Sequence, residues 1–317
     1  MSRRAEPIDD MKPKNRLQRI WQSDLAWSFR HSPVAVVAAI VAFSIIASAA
    51  LAPWIAPYNP FDPATLNLMD GFSRPMTPNP FTGNVYLLGT DNQGRDILSA
   101  ILYGARISLF VGFSAVLFAM VLGITIGLLS AWRGGWVDSF MMRVADVQLS
   151  FPAILIALLI FGIARGFIPP SMREDVAIWV LIIAIGLSDW VQFARVVRGA
   201  AMVEKNKEYI QAARVIGVHP IRIVATHILP NVMGPVLVIA TIGLALAIIA
   251  EATLSFLGVG VPPTQPSLGT LIRVGQGFLF SGEWWILLYP SLALLALALS
   301  VNLLGDWLRD ALNPRLR

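Results

Sequence analysis

EKNKEYIQAARVIGVHPIRIVATHILPN, residues Glu204 to Asn231, is a charged stretch set between two apolar runs, Val176–Val197 and Val232–Leu257. A bilayer's hydrocarbon core takes about 20 apolar residues per helix. Both runs are long enough to cross it, and the stretch between them is a connection that stands clear of lipid. Within it, Tyr209, Ala212, Ala213 and Ile216 recur at helical spacing while Lys205, Lys207, Glu208 and Arg214 lie on other faces, which predicts a short amphipathic helix. His219 and Pro220 interrupt that helix, a second helical stretch follows over 221–228, and Leu229 with Pro230 leads back into the membrane. Most connections have a median length of about 4 to 6 residues. One running from Gly199 to Asn231 calls for a use.

Outward from this connection the chain is apolar. Of its 317 residues 56% are hydrophobic and 14% charged, where an ordinary soluble domain carries roughly 25% charged residues. Six runs have the length of a span: Val34–Ala52, Ile107–Ala131, Phe140–Ala164, Val176–Val197, Val232–Leu257 and Trp284–Leu304. The expected fold is an all-α polytopic membrane protein of about six spans, with the polar connection between the fourth and fifth. Residues 1–32 form a tail ahead of a membrane-embedded body over 33–317.

Charge fixes the expected orientation. Sorting Lys and Arg among the connections puts 18 of 24 on the side that holds the amino-terminal tail, Arg133 and Arg143, the 199–231 connection and the carboxyl end. By the positive-inside rule that side is cytoplasmic, and both termini lie there. The same rule explains the formal charge of +5 without invoking nucleic acid. The six basic residues on the other side are Arg74, Arg95, Arg106, Arg165, Arg173 and Arg273. The external loop over 53–97 is rich in Pro, Asn and Gly, too polar for lipid and too proline-rich for one helix. Between Gly166 and Asp175, Pro169 and Pro170 stop one helix, and Ser171 with Glu174 matches a capping box for the next.

Two blocks carry a family resemblance. The connection resembles the EAA loop of bacterial ABC importer permeases: Gln211, Ala212 and Ala213 precede Gly217 at the family interval, and Leu229–Pro230 closes the pattern, with Gln211 in place of the acidic residue and His227 in place of an isoleucine. LGTDNQGRD over 88–96, which includes Gly89, Thr90, Asp91, Gly94, Arg95 and Asp96, continues into YGARISLFVG over 103–112. With AEATLSFLGVGVPP over 250–263 and GDWLRDALNPRLR over 305–317, it is similar to the C-type, second permease subunit of the oligopeptide, dipeptide and nickel importers. The resemblance implies a sister permease forming a heterodimer, two ATPase subunits that carry the ATP and Mg²⁺, an extracytoplasmic solute-binding protein, and a bacterial inner membrane. It implies that Lys207, Glu208, Tyr209, Gln211, Ala212, Ala213, Arg214 and Gly217, with Leu229 and Pro230, form the coupling element that meets an ATPase. The implied cargo is a short peptide, with nickel chelates, glutathione or opines as alternatives.

Chemistry elsewhere is sparse. None of Lys12, Lys14, Lys205 and Lys207 follows a glycine, so there is no phosphate-cradling Walker loop. With no cysteine and only His31, His219 and His227, no metal or thiolate centre is expected, and the chain is read as a transporter subunit that binds no cofactor and is not an enzyme. Ionisable residues within spans are functional candidates because burying charge in lipid costs several kcal/mol. Glu251 and Asp189 are the candidates for a pathway or gate, while Arg143 and Asp146 are expected to pair with each other. Trp132, Trp136, Trp284, Trp285 and Trp54 are expected in an aromatic belt. Gly123 and Gly127 offer a close-packing face, toward the sister subunit. A secondary transporter would show inverted repeats or ionic clusters at the midplane, and a membrane enzyme would show a catalytic constellation. Neither pattern is visible.

Overall fold

The computed structural model describes residues 24–62, 66–262 and 264–311. Residues 1–23 of the expected 1–32 tail, Pro63, Pro263 and the closing residues 312–317 lie outside them. The helices are α1 Asp24–His31, α2 Pro33–Ala50, α3 Ala52–Ile55, α4 Ile97–Arg133, α5 Gly135–Leu149, α6 Ala153–Phe167, α7 Arg173–Lys205, α8 Glu208–Val215, α9 Pro220–Ile223, α10 Leu229–Phe256, α11 Leu268–Gln276 and α12 Trp285–Ala311. No named strand occurs among the described residues.

Among the described residues five helical segments are long and apolar enough to cross a membrane: α2, α4, α7, the continuous α9–α10 segment and α12. The third expected run, Phe140–Ala164, is not one helix. It breaks between α5 and α6, which meet at 97°. Pro152 has no N–H to donate and its ring clashes with a preceding helical carbonyl, so the chain turns there. Each piece has 15 residues, about 22 Å at 1.5 Å per residue, too short to span alone.

Side-chain contacts give the direction of each crossing. Lys205 at the end of α7 donates to the carbonyls of Ala131 and Trp132 at the end of α4, both at 2.9 Å, so α4 and α7 run parallel. The chain must return between them, and the bent pair α5–α6 makes that return as one crossing. Ser108 near the start of α4 meets Glu251 near the end of α10, which makes these two antiparallel. Trp285 at the start of α12 donates to the Thr90 carbonyl just ahead of α4, at 3.1 Å. Phe29 in α1 packs edge-on against Trp307 near the end of α12. The result is six alternating crossings whose described ends both lie on the side of the polar connection.

α4 and α7 make the most extensive helix pair. Gly123 and Gly127 explain the closeness: a Cβ at Gly123 would lie 2.7 Å from the Trp190 carbonyl oxygen, and one at Gly127 would lie 2.6 Å from that of Ala194. The small-residue face expected to meet a sister subunit therefore packs inside this chain. Phe43, Leu159 and other large apolar side chains point outward, as lipid-facing or partner-facing surfaces require. Other local expectations change as well. Met172, not Ser171, is the N-cap of α7, and no side-chain cap forms. Asp146 pairs with Arg195 rather than Arg143, because Arg195 on α7 faces α5. Trp285 is buried and Trp132 lies beneath Arg214, so neither belongs to an aromatic belt, whereas Trp54 and Trp136 are exposed.

Candidate coupling element

The connection folds as the spacing predicts, but around a different face. Ile210 and Ala213 are the side chains that α8 buries. Tyr209, Ala212 and Ile216, expected on the apolar face with Ala213, are exposed. In a helix of eight residues two overlapping sets with three- and four-residue spacing exist, and the core of α4, α7 and α10 accepts the one containing Ile210.

The helix ends where the sequence says it must. Gly217 takes φ +82°, Val218 N–H bonds to Ala213 C=O at 3.0 Å, and Gly217 N–H bonds to Arg214 C=O at 3.0 Å. This 6→1 and 5→2 pair is a Schellman closure, for which a residue without a Cβ is favoured. Pro220 then opens α9 at its first turn, where its missing N–H costs nothing. One π-helical turn over Val224–Ile228 joins α9 to α10 without a break. Pro230 comes one residue later, after Leu229, and a widened turn is a way of accommodating a proline that cannot donate back along the helix.

A polar hub fastens this element to the membrane helices. Glu204, buried at the end of α7, accepts from the Tyr209 hydroxyl and from Asn231 Nδ2 at 3.1 Å. Its second oxygen meets Lys207 Nζ at 2.7 Å. Asn231 Nδ2 also bonds to the His227 carbonyl at 2.7 Å. One carboxylate thus ties together the end of α7, the start of α8 and the start of α10. On the opposite flank, Trp132 lies under Arg214 and near Lys205, at 4.6 and 5.8 Å from the ring centre, a cation–π arrangement that fixes α8 against the end of α4. Gln211 donates to the Asn206 carbonyl at 3.2 Å and makes no ion pair.

The 89–96 block is a second assembly, on the opposite side. Asp91 accepts from Gln93 N–H and Arg95 N–H at 2.8 and 2.9 Å and pairs with Arg95 Nε at 2.8 Å. Asp96 caps α4 through Ser99 N–H and Ser99 Oγ at 2.9 and 2.6 Å. Thr90 bonds to the Asp70 carbonyl, and Gly89 C=O accepts from Ile97 N–H. Gly94 closes the turn inside the Asp91 loop. Asp70 in turn collects the Thr82 hydroxyl, Asn84 Nδ2 and the Tyr86 hydroxyl. The block thus staples the 53–97 loop onto the starts of α4 and α12.

Glu251 is fully buried, accepting from Ser108 Oγ and Ser255 Oγ at 2.7 Å each. It faces the seam of α4, α10 and α11 within the chain. Asp189 is half-buried on α7 with no ion-pair partner among the described residues, beside the carbonyls of Leu187 and Ser188 that hold Gln148.

Residues 123–317 match the family model described as "Binding-protein-dependent transport system inner membrane component". The chain belongs to this family. Residues 16–72 of the permease also match a model for the "N-terminal TM domain of oligopeptide transport permease C". It is similar to the "Dipeptide transport system permease protein DppC" of Haemophilus influenzae, at 36% identity over 96% of this chain and 97% of the relative. It is also similar to the "Oligopeptide transport system permease protein OppC" of Bacillus subtilis, at 35% identity over 99% and 95%. Its fold resembles a chain of the MetNI methionine ABC transporter, with TM-score 0.53 and 20% identity, covering 68% of the permease and 98% of that chain. As a permease component it is not an enzyme; ATP hydrolysis belongs to separate subunits of such transporters.

Several residues that shape the permease's candidate coupling element carry no obvious sequence signal. Ile210 looks like any apolar residue, and Asn231 reads as a helix-start polar residue. Glu204 alone was recoverable, as the acidic member of an i,i+3 pair with Lys207. Gln148 clamps the bend: its Nε2 donates to the Leu187 and Ser188 carbonyls at 2.8 and 3.0 Å, and its Oε1 accepts from Trp190 Nε1 at 2.9 Å.

Proposed function

We propose that this permease imports short peptides across the bacterial inner membrane as one half of a heterodimeric pore, driven by two ATPase subunits and supplied by an extracytoplasmic solute-binding protein. In this reading residues 1–32 are a cytoplasmic tail, 33–317 the permease unit, and the 199–231 connection and both termini face the cytoplasm. The pI of about 9.9 and the clustering of basic residues on that side support the orientation.

One observation carries the reading. Val215 and Ile216 are 88% and 77% exposed on a charged connection outside the spans, where lipid does not cover them, and Ile221, in the first turn of the crossing that follows, is 73% exposed beside them. A polar loop that buries Ile210 inward and presents these three outward is built to be covered by another protein. Ala212 beside them allows close approach, and Lys207, Glu208, Gln211 and Arg214 supply a polar rim. The partner that fits is a groove on an ATPase subunit, where ATP and Mg²⁺ are held.

ATP-driven closure of the ATPases then moves α8. The Glu204 hub passes that movement to α7 and α10 together, and the pore exchanges an inward-facing for an outward-facing arrangement. Such alternation needs two packings of one interface that ligand binding biases. The peptide cargo follows the relatives named for dipeptide and oligopeptide transport, which match this chain over almost its whole length.

The test is reconstitution of the assembled transporter in proteoliposomes with Val215→Cys. Uptake of a dipeptide that depends on ATP, together with a crosslink from position 215 to an ATPase subunit, is expected. Uptake driven by an ion gradient without ATP, or labelling of the introduced thiol only from the outer face, overturns the reading.

A further inference from the structure

We propose that the side of the permease opposite the coupling element holds a pocket that receives a carboxylate of the transported solute through Arg165, Arg173 and Arg273. This rests on the peptide-importer reading and narrows it to a chemical group.

The first observation is where the rare outer charges go. Of the six basic residues assigned to this side, Arg95 is consumed by Asp91. Three of the other five line one pocket of about 130 Å³. They arrive from three separate elements: Arg165 from the last turn of α6, Arg173 from the start of α7 and Arg273 from the last turn of α11. None makes an ion pair among the described residues. Arg173 spends one donor on the Ile168 carbonyl at 3.1 Å. Glu174 shares the pocket, and its carboxylate takes the Thr264 hydroxyl at 3.4 Å. Three guanidiniums against one carboxylate leave an excess of positive charge, which repels itself until an anion enters.

The second observation is that the backbone makes room for one of these groups. Gly258 adopts φ +80°, and a Cβ there would lie 2.5 Å from Arg273 Cζ and 2.7 Å from Nη2. The loop after α10 therefore forms a recess that any side chain at 258 would fill, displacing the guanidinium. Phe161, Ile168, Val180 and Val261 supply apolar walls, and lower local polarity strengthens charge-assisted hydrogen bonds. The planar fork of arginine matches a carboxylate with two parallel bonds. At about 30 Å³ per water the pocket holds roughly four waters. That suits a chain terminus and a small residue rather than a whole peptide.

The test uses the assembled transporter in nanodiscs, with Ala-Ala and its C-terminal amide as probes read by saturation-transfer NMR. The free carboxylate should bind at least tenfold more tightly than the amide. Arg273→Gln and Arg165→Gln should each reduce that preference about tenfold, since each loses a charge-assisted bond. Gly258→Ala should act as Arg273→Gln does, and Arg273→Lys should retain part of the preference. Equal binding of acid and amide, or a preference unchanged in the variants, overturns the proposal. So does a preference that follows the content of anionic lipid in the disc, since the occupant is then a lipid phosphate. ATP-dependent uptake of Ala-Ala by the unaltered complex is measured alongside. Its absence, with an arginine-dependent preference intact, removes the peptide-importer reading and leaves the carboxylate pocket standing.

Discussion

Ile210→Ala should detach α8 while leaving the membrane core folded. Ile210 is fully buried, and it and Ala213 are the side chains that this eight-residue helix buries. Removing three carbons at about 0.8 kcal/mol each loses about 2.4 kcal/mol of transfer free energy, and the residual cavity raises the loss to about 2–5 kcal/mol. A helix this short is not stable alone, so the loss falls on its attachment. A deficit of about 3 kcal/mol lowers the ratio of attached to detached states more than a hundredfold. Hydrogen exchange on the purified chain should show the amides of residues 208–218 exchanging about a hundredfold faster, with the spans unchanged. In the assembled transporter, uptake per ATP hydrolysed should fall at least tenfold. Val215→Ser is the contrasting variant: that side chain is outward, so exchange should stay as it was while uptake falls. If Ile210→Ala left both exchange and uptake at wild-type levels, the idea that α8 acts through its inward anchor would be wrong.

Gly217→Val places a β-branched residue at φ +82° with open space around it, so its penalty is purely backbone strain of about 1–3 kcal/mol; exchange at Gly217 and Val218 should accelerate, and an unchanged rate would count against the Schellman closure. Gly123→Leu has no room against the Trp190 carbonyl and should cost well over the usual 1–3 kcal/mol of overpacking, visible as a lost melting transition of the detergent-purified chain. Glu251→Ala orphans the Ser108 and Ser255 hydroxyls at about 1–3 kcal/mol each. Glu251→Gln, which keeps an acceptor, should melt between that variant and wild type, and a reversed order would refute the buried Glu251–serine cluster. Burial, and then the Asp70 carboxylate beside it, hold the Tyr86 phenol well above the usual tyrosine range. The folded chain favours the neutral phenol, so this stabilisation is whole below the ordinary pKa of about 10 and is lost as pH rises through the folded value. Difference absorbance against Tyr86→Phe should show no phenolate from Tyr86 at about pH 10, where an ordinary tyrosine is half-ionised.

The spans were legible because lipid imposes a length and an apolarity that sequence displays directly. The break at Pro152 escapes hydropathy, which sums composition and is blind to direction, although the proline itself gives notice of it. The polar hairpin is visible from its charge, Gly217 and Pro220, but its inward face is not, since spacing alone fits Tyr209–Ile216 as well as Ile210–Ala213. Asp146 shows the general difficulty. Arg143 is its nearest basic residue along the helix, yet its partner Arg195 comes from another helix, and only tertiary packing brings the two together. The 89–96 block announced itself as a pattern, while the Asp70 centre that it closes over has no local signature. Glu251 stands out by its charge in an apolar run, and the structure places that carboxyl among serines from α4 and α10.

The uninterrupted segment Pro220–Phe256 has 37 residues, a beam of about 55 Å at 1.5 Å per residue. One tip abuts the Gly217 turn; the other runs straight into the Gly258 recess. For a beam of about that length, a rocking of about 5° around its midpoint shifts each tip by about 2.4 Å in opposite senses. A seesaw of this kind would carry a nudge delivered in water on one flank of the bilayer to the arginines on the other, with no relay of intermediate parts.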